Sequence, residues 1–380
     1  MRTKHFRVAL VTIISSCLAV GCGAPHHAID NTSSVSSSNR IGGGASAASQ
    51  TATAQSSTTS PTSRTSASSS TSTSHSSGPE QYKFLSVAMG NSNDGYALAV
   101  APDLQGDTIE LITTDGGVQW TPVKTLAAWS YYEQDIVAPD TQHAYFVSRT
   151  VVEGTSNGGR SWTTLYKSAD ALQAISFINS AEGWALGTNP TTRAGFILHT
   201  NDGGSHWSTL QAPCNPQLSG GLAFVNAQDG LVSCLMNPGA GTSPKTIYET
   251  TDGGAKWKVL ASTGVGVPGG PSSTNSGLSV AGYVHTLFFL NREAGWLGVD
   301  RGSYFATTDG GVKWQPVWTT MFPPGNNSPS VGMLSSGFGW VVADMNADGL
   351  GNTLYVTTDQ GKHWREVYPV KAPPPHQAQG

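Results

Sequence analysis

Aspartates are the most regular candidates for chemistry in this chain, because five of them recur in one eight-residue phrase. The phrase occurs six times, as TTDGGVQW (113–120), TSNGGRSW (155–162), TNDGGSHW (200–207), TTDGGAKW (250–257), TTDGGVKW (307–314) and TTDQGKHW (357–364). A carboxylate can act in catalysis, but Asp near Gly also closes tight turns by accepting hydrogen bonds from backbone amides. We interpret the six repeated positions as structural turn residues: Asp115, Asn157, Asp202, Asp252, Asp309 and Asp359.

The tryptophan that closes each phrase sets the period of the fold. It occurs at Trp120, Trp162, Trp207, Trp257, Trp314 and Trp364, at intervals of 42 to 57 residues. This interval matches one four-stranded blade of a β-propeller, with the ring buried between blades. The sequence therefore predicts an all-β, six-bladed propeller. Seven blades are less favoured, because the long stretch from Trp257 to Phe288 is too short to contain another whole blade.

The strands that carry the phrase follow from apolar runs upstream of it. Runs such as SFIN and AFVN predict the first strand of a blade, and GWAL-type runs after a hairpin predict the second. Runs such as FILHT and TLYVT predict the third strand, and the tryptophan is expected to begin the fourth. The phrase thus falls in the turn between the third and fourth strands.

The pattern Ser/Thr-x-Asp-x-Gly-x-x-Trp resembles the Asp-box of BNR-repeat propellers, in all six copies between about residues 79 and 370. Combined with the upstream Gly-Trp segments, it is most similar to the photosystem II assembly and stability factor (Ycf48-like) branch. It is less similar to the enzyme branches, and the resemblance implies an architecture more than a specific function. It also implies that a cluster of arginines contacts a partner protein.

The face opposite the repeated turns is predicted to carry function, because its loops vary in length and sequence. The loop AAWSYYEQD (127–135) offers Trp129, Tyr131 and Tyr132 as candidates for partner binding. Arg149, Arg193 and Arg301 each lie six or seven residues before a phrase, in predicted turns between second and third strands. Such arginines could bind a carboxylate. The alternative is that they are solvated turn residues.

The N-terminus has the organisation of a bacterial lipoprotein. Basic residues precede an apolar run from Val8 to Val20, and LAVGC then resembles a lipobox that ends at Cys22. Cys17 is a rival acceptor of the lipid. The predicted domains are a signal peptide (1–21), a lipidated cysteine with a disordered Ser/Thr-rich tether (22–78), the propeller (79–370) and a flexible tail (371–380). We therefore expect an extracytoplasmic protein attached to the cell membrane.

Two cysteines remain outside the signal region, Cys214 and Cys234. In an oxidising compartment an even pair tends to form a disulfide. Both are predicted to lie toward the same rim of the fourth blade, which favours a bond between them. The alternative is two separate buried thiols.

The segment DMNADGLGN predicts a candidate calcium site. Asp344, Asn346 and Asp348 are spaced as in a calcium-binding loop, and Gly349 permits its sharp bend. The twelfth position is Tyr355, so the usual bidentate glutamate is missing. An ordinary polar turn is the alternative, and the sequence indicates no other cofactor.

A glycoside hydrolase, sialidase-like or from another Asp-box family, is the alternative function. Sialidases require an arginine triad and a Tyr/Glu nucleophile pair, and the first arginine motif has no counterpart here. Other glycosidases require two carboxylates about 5 to 10 Å apart. Candidates are Glu133, Asp135, Asp107 and Glu110, if these meet on the variable face.

Composition and net charge argue against nucleic acid as a partner. Only 12% of the 380 residues are charged and the formal net charge is −4, which gives no electrostatic basis for nucleic-acid binding. The sequence therefore predicts a cell-surface lipoprotein whose propeller binds a protein or glycan partner without catalysis.

Overall fold

The computed structural model describes residues 82–100, 107–128, 134–214, 220–235, 239, 241–264, 272–299, 304–317, 330–345 and 351–369. These residues form β-strands, turns and bends, and contain no helix that could cross a bilayer. The strands group in chain order into six blades of four. Blades 1 to 3 contain β1 (Lys83–Met89), β2 (Gly95–Val100), β3 (Asp107–Thr113), β4 (Thr121–Ala128), β5 (Gln134–Val137), β6 (Ala144–Ser148), β7 (Val151–Thr155), β8 (Thr163–Lys167), β9 (Ala171–Phe177), β10 (Gly183–Thr188), β11 (Gly195–Thr200) and β12 (Ser208–Gln211). Blades 4 to 6 contain β13 (Gly220–Phe224), β14 (Gly230–Leu235), β15 (Lys245–Thr250), β16 (Lys258–Ser262), β17 (Val284–Phe289), β18 (Gly295–Val299), β19 (Tyr304–Thr307), β20 (Gln315–Val317), β21 (Ser330–Met333), β22 (Gly339–Met345), β23 (Gly351–Thr357) and β24 (Arg365–Tyr368).

Each blade is an antiparallel meander, in which consecutive strands pair. The first strand of each blade contacts the first strand of the next, and β21 contacts β1, so the ring closes. Blades 1 and 6 are further joined by pairing of Phe84 with Gly351. The predicted six-bladed β-propeller is confirmed.

Burial decreases from the second strand of a blade to the fourth. The second strands β2, β10 and β14 are buried at every position, whereas β8 and β12 are mostly exposed. The apolar runs that predicted second strands are therefore continuous because both of their faces pack against neighbouring blades. Six hydrophobic clusters result, one at each junction between adjacent blades.

Two predicted boundaries need correction. The phrase tryptophans lie one residue before the fourth strand rather than inside it, as Trp120 does before Thr121. Residues 127–128 belong to β4 and residues 134–135 to β5, so the predicted 127–135 loop is shorter. Both ends of that segment pair with neighbouring strands of their own blades.

Candidate functional site

The repeated phrase forms the same hydrogen-bonded turn in every blade. In the first copy, the Thr113 hydroxyl donates to Asp115 Oδ1 at 2.9 Å and accepts from the Gly117 amide at 3.1 Å. Asp115 Oδ1 also accepts from the Gln119 amide at 2.9 Å. The corresponding bonds recur in the five other copies, including that of Asn157, whose amide oxygen replaces a carboxylate oxygen.

Backbone hydrogen bonds join each of these turns to the turn between the first and second strands of the same blade. The donor is the amide of the residue that follows the phrase aspartate or asparagine, and the acceptor is a carbonyl of the first-to-second strand turn, at 2.8 to 3.0 Å. In the first blade the pair is Gly116 and Asn93. The next glycine approaches the preceding blade closely. A Cβ on Gly117 would lie 2.5 Å from Leu354 Cδ2, and φ of +86° also requires glycine there. The phrase thus connects strands within a blade and one blade with the next.

Two phrase aspartates also bind a histidine. His206 Nδ1 lies 2.6 Å from Asp202 Oδ2, and His363 Nδ1 lies 2.6 Å from Asp359 Oδ2. The backbone and side-chain hydrogen bonds from His206 lower the pKa of Asp202 to about 2, and those from His363 lower the pKa of Asp359 to about 2. These carboxylates are therefore held ionised as acceptors, in keeping with a structural role.

The opposite face carries the turns between second and third strands. Arg149 lies between β6 and β7 and Arg193 between β10 and β11, as predicted, and both side chains are exposed. Both have left-handed backbone, with φ of 49° and 62°, a region that residues other than glycine rarely adopt. Arg301, Trp129, Tyr131 and Tyr132 lie outside the described residues. Their proposed role in partner binding remains a prediction.

Blade 4 carries two features on this face. Cys214 and Cys234 are joined as a disulfide with a Cα–Cα distance of 6.4 Å, and Cys234 lies on β14 opposite Gly220. Lys245 is fully buried, and its Nζ donates to the carbonyls of Ser243, Ser279, Ala281 and Gly282 at 2.8 to 3.1 Å. Sequence reasoning did not identify Lys245, because three of its four acceptors lie more than thirty residues away in the segment 279–282.

The candidate calcium residues fall mostly outside the described part of the chain. Asp344 lies in β22, which extends to Met345 and pairs with Gly351, while Asn346 and Asp348 lie outside the described residues. Among the described residues no group of three or more His, Cys, Asp or Glu side chains could hold a metal. Calcium binding remains a prediction.

The structure separates the carboxylates considered for glycoside hydrolysis. Asp135 faces a central cavity, whereas Glu110 lies buried on β3, close to Lys124 and Glu153 at the junction with blade 2. Asp107 is exposed at the start of β3, and Glu133 is outside the described residues. Asp135 and Glu110 lie on strands of different blades and contact different groups, Ser86 and the Ile175 amide for Asp135 and Lys124 for Glu110.

Burial changes the proton affinity of both carboxylates. It raises the pKa of Glu110 to about 8, against the opposing attraction of Lys124, which binds Glu153 more closely. Burial also raises the pKa of Asp135 to about 7, although hydrogen bonds from the Ile175 and Ile136 amides and from Ser86 oppose the increase. Each group therefore binds a proton more readily than an exposed carboxylate.

A central cavity of about 390 Å³ is the site that the sequence did not reveal. First strands of all six blades line it, from Asp135, Thr286 and Ser330 at one end to the turns with the second strands at the other. The apolar runs before those turns, ending in Ile178, Val225 and Leu290, were the available signal. The repeat interval alone did not show that these residues come together around one cavity.

Comparison with known proteins supports the resemblance drawn from the repeats. Residues 116–285 match the family model of the photosynthesis system II assembly factor YCF48. The photosystem II assembly lipoprotein Ycf48 of Synechococcus sp. (strain CC9902) is 27% identical over 161 residues, which cover 39% of this chain and 43% of that protein. The match thus spans less than half of the relative's length.

Solved structures with a similar fold include binding proteins and enzymes. YCF48 bound to D1 peptide is 14% identical, with a TM-score of 0.45 over 76% of this chain and 82% of that one. The GH74 xyloglucanase of Xanthomonas campestris is 11% identical, with a TM-score of 0.47 over 73% of this chain and 45% of that one. The resemblance predicted from the repeats is confirmed by the six-bladed fold and the matched region: this chain is a six-bladed β-propeller similar to the photosystem II assembly factor YCF48 family.

Proposed function

We propose that this chain is a non-catalytic propeller that binds, or helps to assemble, a membrane-associated protein complex, and that a lipid on Cys22 holds it at the cell surface. The matched family model describes an assembly factor, and the curated relative is an assembly lipoprotein. The proposal applies these roles to the present chain, in which the partner is a protein recognised through the variable face.

The observation that carries this proposal is the pair of exposed arginines at left-handed positions. Arg149 and Arg193 occupy equivalent turns of neighbouring blades, at a backbone geometry that favours glycine. Left-handed backbone costs about 1 to 2 kcal/mol for a residue with a Cβ. Retaining a long cationic side chain twice at such positions supports a binding role, because guanidinium groups recognise carboxylates with two parallel hydrogen bonds.

The carboxylates of the described residues support binding rather than hydrolysis. Those of the repeated phrase are occupied by turn hydrogen bonds, and the described cavity lining contains one carboxylate, Asp135. Acid–base hydrolysis of a glycosidic bond generally uses two. An assay with fluorogenic aryl glycosides tests the alternative: release of the fluorophore that Asp135→Asn abolishes would favour a glycosidase.

Site-specific photocrosslinking in the producing bacterium tests the binding face. A benzoylphenylalanine at Thr191 samples the variable face of blade 3, and one at Ser180 samples the opposite face of the same blade; both residues are exposed. We expect protein adducts from position 191. Adduct yield should fall at least ten-fold in the Arg149→Gly, Arg193→Gly double variant, since each lost charged hydrogen bond costs about 1.5 to 3 kcal/mol.

The matched control is Arg160→Ala, which removes a charge from an exposed arginine of the second phrase on the opposite face. It should leave the yield at position 191 unchanged. Equal adducts from positions 180 and 191, or adducts insensitive to the double substitution, would refute the assignment of the partner to this face.

Membrane attachment is tested separately. Cys22→Ala should abolish incorporation of radioactive palmitate and release the protein from the membrane fraction, whereas Cys17→Ala should change neither. Undiminished labelling of the Cys22→Ala protein would place the lipid elsewhere.

A further inference from the structure

The central cavity has an apolar entrance, and its described lining contains one anionic group, Asp135. On the side of the first-to-second strand turns it is lined by Ile178, Val225, Leu290 and Leu334, one from each of four blades and all partly exposed. Ser330 lies four residues before Leu334, which places the polar end about 13 Å from this entrance. Asp135, Thr286 and Ser330 line that polar end.

Asp135 connects three blades at the polar end. Its Oδ1 accepts from the Ser86 hydroxyl of blade 1 at 3.3 Å, and its Oδ2 accepts from the Ile175 amide of blade 3 at 3.2 Å. Both donors are neutral. Among the described residues that line the cavity there is no lysine, arginine or histidine and no second carboxylate. The charge of Asp135 therefore has no counter-charge in the described lining of the cavity.

The walls between the entrance and Asp135 contain aliphatic and aromatic side chains. Phe288 and Trp340 both line the cavity, with ring centroids 6.4 Å apart, and Phe288 retains partial exposure. An aromatic face attracts a cation and also packs against apolar groups. A volume of about 390 Å³ lies within the range of small-molecule sites.

From these contacts we infer that the central cavity binds a small organic cation, in which an ammonium group pairs with Asp135 and an apolar body fills the aromatic and aliphatic walls. A neutral ligand of the same shape gains only the apolar contacts. An anion of the same shape is repelled by Asp135. The inference is independent of the proposed partner surface, because neither Arg149 nor Arg193 lines the cavity.

Three matched probes test this inference on the full chain by titration calorimetry: 4-phenylbutylamine, 4-phenylbutanol and 4-phenylbutyrate. At pH 8 we expect the amine to bind at least ten-fold more tightly than the alcohol, and the acid more weakly than either. Because burial raises the pKa of Asp135 to about 7, amine affinity should fall by up to about thirty-fold between pH 8 and pH 5.5 as the carboxylate is protonated. Alcohol affinity should not change with pH.

The decisive variant is Asp135→Asn, which keeps an acceptor for the Ile175 amide and a polar partner for Ser86. It should bind the alcohol as the wild type does and lose the preference for the amine. The matched control is Asp107→Asn, which removes the same charge from an exposed position on β3 and should leave all three affinities unchanged. Leu290→Lys adds a cation at the entrance and should weaken amine binding more than alcohol binding.

Three outcomes would overturn the inference: equal affinity of amine and alcohol, an amine preference that survives in Asp135→Asn, or no binding of any probe at millimolar concentration. If Asp135→Asn failed to fold, the pH series on the wild type and the Leu290→Lys variant would decide the question.

Discussion

The two faces of the propeller differ in how often their contacts repeat. On the face of the repeated phrase, all six blades contain the same aspartate or asparagine turn and the same bond to the neighbouring hairpin. On the opposite face the described blades differ. Blade 4 contains a disulfide and a buried lysine, and blades 2 and 3 contain arginines at left-handed positions.

This difference separates structural residues from specialised ones. A contact present in six blades serves what the blades share, which is their strand connection and their junction with the preceding blade. A contact present once serves a local loop or a ligand. Asp135 and Glu110 belong to the second class, because no other described blade places a carboxylate at the corresponding position of its first or third strand.

The largest effect on stability is expected for Lys245→Met, which removes hydrogen bonds that are found in blade 4 and are not part of the repeated turns. The substitution keeps the apolar stem but leaves four carbonyls without their charged donor, two of them in buried bonds, those of Ser243 and Gly282. We expect a loss of about 3 to 5 kcal/mol in the free energy of unfolding, measured by urea denaturation. Limited proteolysis should also begin within 272–283. A loss below about 1 kcal/mol would show that Lys245 does not stabilise the segment 272–283.

A pH-dependent effect is expected for Glu110→Gln. The pKa of this carboxyl rises from 4.5 in the unfolded chain to about 8 in the folded protein, so folding takes up a proton between these values. The wild type should therefore lose stability as pH rises from about 4.5 to about 8. The variant should be more stable than the wild type by on the order of 2 kcal/mol at pH 8, with no difference near pH 4.5.

Glu249→Gln is the matched control for this pH dependence. Glu249 pairs across two strands with Lys258 at 3.1 Å, as Glu110 pairs with Lys124, but the lysine is 70% exposed. Its substitution should change stability by less than about 1 kcal/mol at either pH. Parallel pH profiles for wild type and Glu110→Gln would refute the role assigned to Glu110.

A moderate and repeatable effect is expected for the phrase aspartates. Asp252→Ala removes the acceptor of the Lys256 amide and of the Thr250 hydroxyl, each within 2.9 Å. The expected cost is about 1 to 2 kcal/mol, read from melting temperature. Asp309→Ala should cost the same within about 0.5 kcal/mol, because its turn has the same bonds. Normal stability combined with lost ligand binding would instead assign these residues to function.

The smallest effect is expected for Arg193→Gly. Glycine adopts the left-handed region without strain, so the variant should gain up to about 1 kcal/mol in stability while losing the proposed partner contact. Arg160→Gly is the control, since Arg160 has an ordinary backbone and the change should be neutral or destabilising. Loss of stability in Arg193→Gly would indicate that the arginine is held for folding, through its surroundings, rather than for binding.

Much of the fold could be predicted because its signals are local. The eight residues of each phrase contain the donor, the acceptor and the glycine that their turn requires, so repetition alone indicated both blade number and strand order. The repeated turn tolerates substitution at one glycine. Gln360 replaces that glycine at a φ of 60°, and its amide still donates to the Gly337 carbonyl. The resemblance to the YCF48 family followed from the same residues.

The candidate sites were less accessible to sequence reasoning. Arg149 and Arg193 were placed correctly, because a turn position follows from strand order. The surroundings of Asp135, Glu110 and Lys245 were not foreseen, because each is defined by partners from another blade or a distant crossing. Asp135 illustrates this best: its sequence neighbours indicated a surface loop, yet ring closure turns its carboxylate toward the central cavity.

The sequence by itself determined the repeated turns, the strand order and the number of blades, because these depend on hydrogen bonds and apolar periodicity within about fifty residues. Only the tertiary structure decided which carboxylates are buried, which groups they contact, and that six first strands enclose a cavity whose described lining contains one acidic group. Those properties arise from closing the ring, which brings together residues that no local pattern relates.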